Sequence, residues 1–225
     1  MARNAGARKR TARQVIAASH AATNYDGSVF INCPFDARYA AMFDAIVFAV
    51  AACGFTPRSA LEIDDASRAR FDKIIGLVAA CRLGIHDISR TELDASSGLP
   101  RFNMPLELGV FLGAHRFGLG RQSRKLCLVL DTERYRFQQF ISDIAGQDIK
   151  AHSGDPPRAI AAVREFLTAA AGTVLPGGRT LLRRFTEFRA ELPAICARFG
   201  LEPDELTFPD YCRIVTDWLA ATPTA

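Results

Sequence analysis

The stretch that decides the fold is "LGIHDISRTELDASSGLPRFNMPLELGVFLGAHRFG", residues 83 to 118. It begins as an apolar strand, passes into a polar loop and restarts as a helix. Within that helix one carboxylate, Glu107, stands among apolar residues where another apolar side chain would be ordinary. The stretch therefore predicts a strand, loop and helix unit that holds a charged group in apolar surroundings.

The same order of strand and helix recurs on both sides of this stretch. Strands are predicted at four segments, which are 28–32, 55–61, 83–89 and 125–131. Helices are predicted between them at 39–53, where Gly54 ends the helix, at 67–82 and around Glu107. Strands that alternate with helices predict a flavodoxin-like α/β fold, with a parallel sheet of four to five strands and helices on both faces.

Two helical segments carry apolar stripes. The helix at 67–82, with Ser67 or Asp65 as its N-cap, has the stripe Phe71, Ile74, Ile75 and Val78. From residue 175 to 225 the pattern is helical throughout and predicts a C-terminal extension with the stripe Leu181, Leu182, Phe185, Phe188 and Leu192. This second stripe could cover the core of its own domain, or it could bind a neighbouring subunit or an adaptor protein.

Composition bounds the class of protein. A chain of 225 residues with 49% hydrophobic content can bury one large core, or one core and a small appendage. No apolar run is long enough to span a bilayer, and the first residues lack the apolar core of a secretory signal, so a cytoplasmic protein without a membrane segment is predicted. The six cysteines form no CxxC pair and are interpreted as reduced core thiols.

The net charge of +4 comes from the first residues of the chain. Five basic residues precede Asp26, and without them the chain has 23 basic and 24 acidic residues. Residues 1–27 are therefore interpreted as a basic disordered tail, and 28–174 as the α/β domain. Binding to nucleic acid is not indicated, except through the tail.

Polar residues collect where the predicted strands end, and ligands of parallel sheets bind at that edge. The sequence has no Gly-rich phosphate loop, no HExxH and no GxSxG, and it predicts neither a cofactor nor a metal. What remains is a site centred on a carboxylate. Cleavage at the anomeric carbon of a ribosyl group passes through an oxocarbenium-like state, which a carboxylate stabilises or captures covalently.

Each candidate residue also has a structural alternative. Glu107 could complement the helix dipole from the first turn, with Asn103 as the cap. Asp87 could be a turn residue bonded to the next backbone amides, and His86 a histidine satisfied at a strand end. Phe35 could stack on a base or tuck under the sheet edge.

The segments "VFINCPFD", "GFTPRSALEIDD", "GIHDIS" and "NMPLELGVFLGA" together resemble the TIR-like and nucleoside 2-deoxyribosyltransferase-like superfamily over about residues 28–131. The resemblance implies that Glu107, followed by Gly109, is the catalytic carboxylate. It implies substrate contacts from the loop after the first strand, from the end of the third strand and from the loops beside them, which gives Asn32, Pro34, Phe35, Asp36, Arg58, Asp87, Ser89, Arg101 and Asn103. The transferases commonly carry an Asp where this chain has Arg101, and an arginine suits a substrate that bears phosphate.

The resemblance implies a nucleotide N-glycosidase, with NAD as the leading substrate and no cofactor. In prokaryotes TIR-like domains joined to another module commonly act as NAD-cleaving effectors of antiphage defence, and the C-terminal extension would then be the oligomerising or adaptor part. A nucleotide sensor without catalysis and a nucleoside deoxyribosyltransferase are the alternative functions.

Overall fold

The computed structural model describes residues 24–62, 64–91, 93 and 98–223. Five strands form one parallel sheet in the order β2-β1-β3-β4-β5. They are β1 (Ser28–Asn32), β2 (Thr56–Arg58), β3 (Leu83–Asp87), β4 (Leu126–Asp131) and β5 (Lys150–Ala151). The helices are α1 (Ala40–Ala52), α2 (Arg70–Ala80), α3 (Asn103–Phe117), α4 (Pro156–Ala171), α5 (Gly178–Ala197) and α6 (Phe208–Ala221). The predicted flavodoxin-like α/β fold with a helical C-terminal part is confirmed.

The strand order reverses between β1 and β3. The chain steps from β1 outward to β2, then crosses back over β1 and continues through β3 and β4 to β5. At such a switch point the loops after the two central strands leave in opposite directions, which opens a crevice at the carboxyl edge of the sheet. The register pairs Asn32 with His86 across this point.

Apolar side chains of the strands alternate between two helical layers. Val29 and Ile31 of β1 belong to the large core with α1, α4 and the C-terminal helices, whereas Phe30 packs with α2 and α3. A third cluster, around Ile88 and Leu108, lies between α3 and the segment after β4. The sheet is therefore covered on both faces, as its apolar strands require.

Helix α1 lies between the sheet and the C-terminal helices, and this position explains its unbroken apolar run. Every residue from Ala45 to Val50 is buried. The ring of Phe48 lies 5.3 Å from that of Phe185 on α5, 5.4 Å from that of Phe188 on α5 and 6.1 Å from that of Trp218 on α6, measured between ring centroids. The C-terminal helices thus share the main core.

The predicted stripe on the extension faces the chain's own domain. Leu181, Phe188 and Leu192 are buried in the main core, and Leu182 and Phe185 pack against it. Of the two expectations for this stripe, the structure has the first, in which the stripe covers the domain's own core. The face is occupied within one chain.

The region around α2 differs from the prediction. The second strand covers three residues rather than seven, because Pro57 has no N–H for a ladder and a 3-10 turn begins at Ala60. Helix α2 begins at Arg70, and neither predicted cap is used, since Asp65 Oδ1 instead accepts from Ser67 N at 2.9 Å within the preceding loop. Two residues of the predicted stripe, Phe71 and Ile75, are exposed, and Leu77 is buried with Ile74 and Val78.

The remaining sequence predictions concern the termini, the thiols and the membrane. The predicted tail lies outside the described residues as far as residue 23, whereas Tyr25 is buried and its hydroxyl donates to the Arg121 carbonyl at 2.6 Å. All six cysteines are free thiols, as predicted. Within the described part of the chain, no helix has the length and apolarity needed to cross a membrane.

The shared core gives a stability prediction. Replacing Phe188, which is fully buried, by alanine should lower the free energy of unfolding by about 3–5 kcal/mol, because a large cavity opens between α1, α5 and α6. The matched control is Phe199→Ala, just after α5, where the side chain is 70% exposed and the change should stay within about 0.5 kcal/mol. Urea unfolding followed by circular dichroism measures both. Equal effects would mean that the C-terminal helices do not share the core.

Candidate functional site

The carboxyl edge of the sheet carries buried polar groups that an apolar core would not need. Asn32 ends β1, His86 and Asp87 end β3, and Asp131 ends β4, and each is at most 1% exposed. Buried polar groups cost free energy unless they are partnered, so their partners define what this edge is built to do.

Asn32 is a junction of three elements. Its Nδ2 donates to the Met104 carbonyl on α3 at 3.0 Å and lies 3.0 Å from His86 Nδ1 on β3. A carbonyl only accepts, so the amide nitrogen must face Met104, and its second hydrogen then goes to His86. His86 Nδ1 is therefore the acceptor, and the imidazole proton is on Nε2.

His86 stays neutral. Complete burial lowers the pKa of His86 to about 3, and the charge of Lys125 adds to the effect. Its ring lies 4.9 Å from that of Phe111 and 5.8 Å from that of Phe30, both in edge contact. The sequence analysis gave His86 a structural alternative, and the structure makes it a buried link between the sheet and Asn32.

Two buried atoms of this junction lack a hydrogen-bond partner among the described residues. They are Asn32 Oδ1 and His86 Nε2. The Nε2 atom is enclosed by aromatic rings. Asn32 Oδ1 is an acceptor at the end of β1, beside the switch point, and a donor hydroxyl would match it.

Glu107 faces the same edge from α3. Met104, Leu108 and Phe111 are buried on the sheet side of the helix. Glu107 lies on the same side, because it is three residues after Met104 and four before Phe111, and it is 5% exposed. Burial raises the pKa of Glu107 to about 7, although the charge of Arg70 on α2 opposes the shift. No hydrogen bond or ion pair joins the Glu107 carboxylate to any residue in the described segments.

The dipole interpretation of Glu107 is wrong. Helix α3 begins at Asn103, and its first turn holds no acidic residue, so Glu107 belongs to the second turn. Asn103 is exposed and is not the cap, since Phe102 occupies that position without a side-chain hydrogen bond. The effect of a helix dipole on a charge falls off within the first turn, and it therefore does not account for this carboxylate.

Asp87 and Glu107 act on the same thiol. Cys33, which follows β1, is fully buried, and its pKa is raised first by burial and then by the charges of Asp87 and Glu107. The carboxyl groups of β3 and α3 thus approach the loop after β1 together. This convergence at the switch point was predicted from the strand ends.

Asp87 is fully occupied by protein partners. Its Oδ1 accepts from Ser89 N at 2.8 Å, as the turn interpretation predicted, and its Oδ2 accepts from the Tyr39 hydroxyl at the start of α1. His152 Nε2, beyond β5, lies 3.0 Å from Oδ2, but the approach is too poorly aligned for a hydrogen bond. Burial and the charge of Asp87 raise the pKa of Tyr39 well above its ordinary value, so the phenol remains a donor. Asp87 therefore holds the loops around the crevice in place through these contacts.

Asp131 does the same for the loop after β3. Its Oδ1 accepts from Arg136 Nε at 2.8 Å and from Arg136 Nη2 at 2.6 Å. Arg136 also donates to the Ile88 carbonyl at 3.0 Å and to Thr91 Oγ1 at 3.1 Å. The first residues of the loop between β3 and α3 are thus held by one partly buried arginine.

The predicted residues of the loop after β1 lie at the edge of the crevice. Pro34 is buried, and Phe35 is 38% exposed with its ring 5.6 Å from that of Phe43 on α1. Asp36 Oδ1 accepts from Arg90 Nη2 at 2.5 Å, which connects this loop to the loop after β3.

The other predicted residues lie at the end of β2, after β3 and around the start of α3. Arg58 ends the edge strand β2 opposite Phe30, and both its Nε and its Nη2 donate to Glu62, at 2.7 and 2.5 Å. Arg101 and Asn103 are exposed at and just before the start of α3. Ser89 is 2% exposed and contributes its backbone amide to Asp87.

The sequence analysis missed Tyr39, Asp131, Arg136 and His152, and only Asp131 carried a signal, because it ends a strand as Asp87 does.

Among the described residues no group of three or more His, Cys, Asp or Glu side chains could hold a metal ion. A cleft of about 650 Å³ lies away from this edge, between the end of α1, the residues before β2 and α6. It contains none of the buried polar groups, so the site is assigned to the carboxyl edge.

The chain matches no protein-family model, no curated protein and no solved structure. What the carboxyl edge can do therefore follows from its own geometry and chemistry.

The packing beneath Asn32 gives a second stability prediction. A Cβ added at Gly84 would lie 2.7 Å from His86 Nε2 and 2.8 Å from two ring atoms of Phe111, so Gly84→Ala should cost about 1–3 kcal/mol of unfolding free energy. The control is Gly76→Ala, on the exposed side of α2 with nothing within 4 Å of the added Cβ, which should stabilise the protein by up to about 1 kcal/mol. Urea titration of both variants checks this. A Gly84→Ala variant as stable as the wild type would contradict the tight packing around His86.

Proposed function

We propose that this protein cleaves the N-glycosidic bond of a nucleotide, with NAD as the leading substrate and Glu107 as the essential carboxylate. The observation that carries the proposal is the state of Glu107. It is a buried carboxyl at the topological switch point, its pKa is about 7, and it has no partner among the described residues. Such desolvated, unpaired carboxyls are uncommon in structural roles and common in active sites.

The chemistry needs little more than this group. The nicotinamide of NAD is a cationic pyridinium, so the bond from C1′ to nitrogen breaks with its electron pair going to nitrogen, and neutral nicotinamide leaves without a proton. The ribosyl cation that develops at C1′ is stabilised or captured by the Glu107 carboxylate. Water then adds at C1′ and releases a proton to solvent, which gives the ribose hydroxyl and restores the carboxylate. The ionised form of Glu107 is required, and its fraction rises as the pH passes about 7.

Neighbouring groups fit a ribosyl substrate. The buried acceptor Asn32 Oδ1 suits a ribose hydroxyl, and the half-exposed ring of Phe35 offers a surface for a base. The carboxylate of Asp87 is engaged by Tyr39 and Ser89, which supports a role in holding the loops. We assign to Asp87 the positioning of the loops that surround the substrate.

The biological role rests on the resemblance to TIR-like domains. A NAD-cleaving enzyme of this kind would act as an effector of antiphage defence, by depleting the nucleotide of the infected cell. The exposed arginine at position 101, where the transferases carry an acid, favours a phosphorylated nucleotide over a free nucleoside.

Nicotinamide release tests the proposal. The full-length protein is incubated with NAD, and products are separated by chromatography. Glu107→Gln should reduce the rate at least a thousandfold while the fold is kept, because the amide preserves size and removes the charge. The matched control is Glu165→Gln on α4, an exposed glutamate, which should keep the wild-type rate.

Three outcomes would contradict the proposal. Turnover that survives Glu107→Gln would remove this residue from the mechanism. Tight NAD binding by calorimetry without any product would assign the edge to sensing, and base exchange in the presence of a second base would assign it to transfer.

A further inference from the structure

An ion pair spans the candidate crevice. Asp36 follows β1 and Arg90 follows β3, which are the two strands between which the strand order reverses. Arg90 Nη2 lies 2.5 Å from Asp36 Oδ1. A bond between these two loops therefore crosses the place where a ligand of this fold class would lie.

The ion pair between Arg90 and Asp36 can open so that Arg90 takes another partner. The side chains of Arg90 and Asp36 are 28% and 32% exposed, and an ion pair so open to water adds little to stability. The neighbouring pair of Arg136 and Asp131 is different, since Asp131 is fully buried. Among the ion pairs described at this edge, only the pair of Arg90 and Asp36 places a solvent-accessible cation at the mouth of the crevice.

Asp36 also keeps a partner when the pair opens. Its Oδ1 accepts from the backbone amide of Arg38 at 3.1 Å, a local bond that does not depend on Arg90. The carboxylate can therefore release the guanidinium without becoming unpartnered. The Arg90 guanidinium is a planar set of donors, and the part released by Asp36 matches the oxygens of a phosphate.

We infer that Arg90 binds a phosphate group of the substrate and that Asp36 occupies Arg90 as an internal counter-anion when no ligand is bound. The ligand class is a nucleotide with a diphosphate, and the identity of the crevice as a substrate site rests on the proposed function. Asp36 then competes with the substrate phosphate for the Arg90 guanidinium. A nucleoside has no phosphate and does not displace Asp36.

Calorimetry on Glu107→Gln protein, which binds without turnover, tests this inference. The ligands are NAD, nicotinamide riboside and inorganic pyrophosphate. Adding Asp36→Asn should strengthen the binding of NAD and of pyrophosphate by about two- to fivefold, because the competing anion is removed. Adding Arg90→Gln should weaken both by tenfold or more, since a charged donor to phosphate is lost. Nicotinamide riboside, which has no phosphate, should be unchanged by either substitution.

The exposed pair of Arg183 and Glu187 on α5, joined at 3.0 Å, supplies matched controls. Arg183→Gln and Glu187→Gln make the same charge changes away from the crevice and should leave all three affinities unchanged. This excludes an effect of net charge alone.

The outcomes separate the inference from the proposed function. If neither Asp36→Asn nor Arg90→Gln changes the affinity for NAD, the inference is overturned and the proposed glycosidase activity is unaffected. Failure of every variant to bind or cleave NAD, together with pyrophosphate binding that follows the predicted pattern, supports the phosphate site and overturns the choice of substrate. A weakening of all ligands by Asp36→Asn would show that the pair only holds the loops together, and would overturn the inference.

Discussion

The side-chain amide of Asn32 is the interaction on which the rest of the site depends. Its two hydrogens go to the Met104 carbonyl and to His86 Nδ1, so one buried group joins β1, β3 and α3 at the switch point. That junction fixes the first turn of α3, and Glu107 lies one turn further along. It works only because His86 is neutral, since a protonated imidazole would have no acceptor to offer.

The burial of the Glu107 carboxyl also costs stability. The unfolded chain ionises this carboxyl at its ordinary pKa of 4.5, whereas the folded chain holds the proton up to about 7. The contribution of this raised pKa to the free energy of unfolding is fully present below pH 4.5, and it is lost as the pH rises through about 7. Above pH 7 the loss is at most about 3 kcal/mol, and screening by water at the sheet edge reduces it.

Much of this fold could be predicted from the sequence, because its signals are local. Apolar strands alternate with helices, and the unbroken run from Ala45 to Val50 predicts a helix buried on all sides. The edge of the sheet could also be predicted, since Asn32, Asp87 and Glu107 follow from strand ends and from one misplaced charge. Tyr39 and His152 could not, because their role depends on Asp87, which lies 48 residues after Tyr39 and 65 before His152. The pairing of Arg58 with Glu62 could be predicted for the reverse reason, since the two residues are four positions apart in the chain.

The most direct test of this account is the ionisation of Glu107 itself. Protein labelled with ¹³C at glutamate carboxyls is titrated by NMR, and the Glu107 resonance is assigned by its loss in Glu107→Gln. The account predicts that this one carboxyl titrates near pH 7, and that Asn32→Ala shifts its midpoint by releasing the first turn of α3. A Glu107 carboxyl that titrates near 4.5, like an exposed glutamate, would contradict the claim that the fold desolvates this group for catalysis.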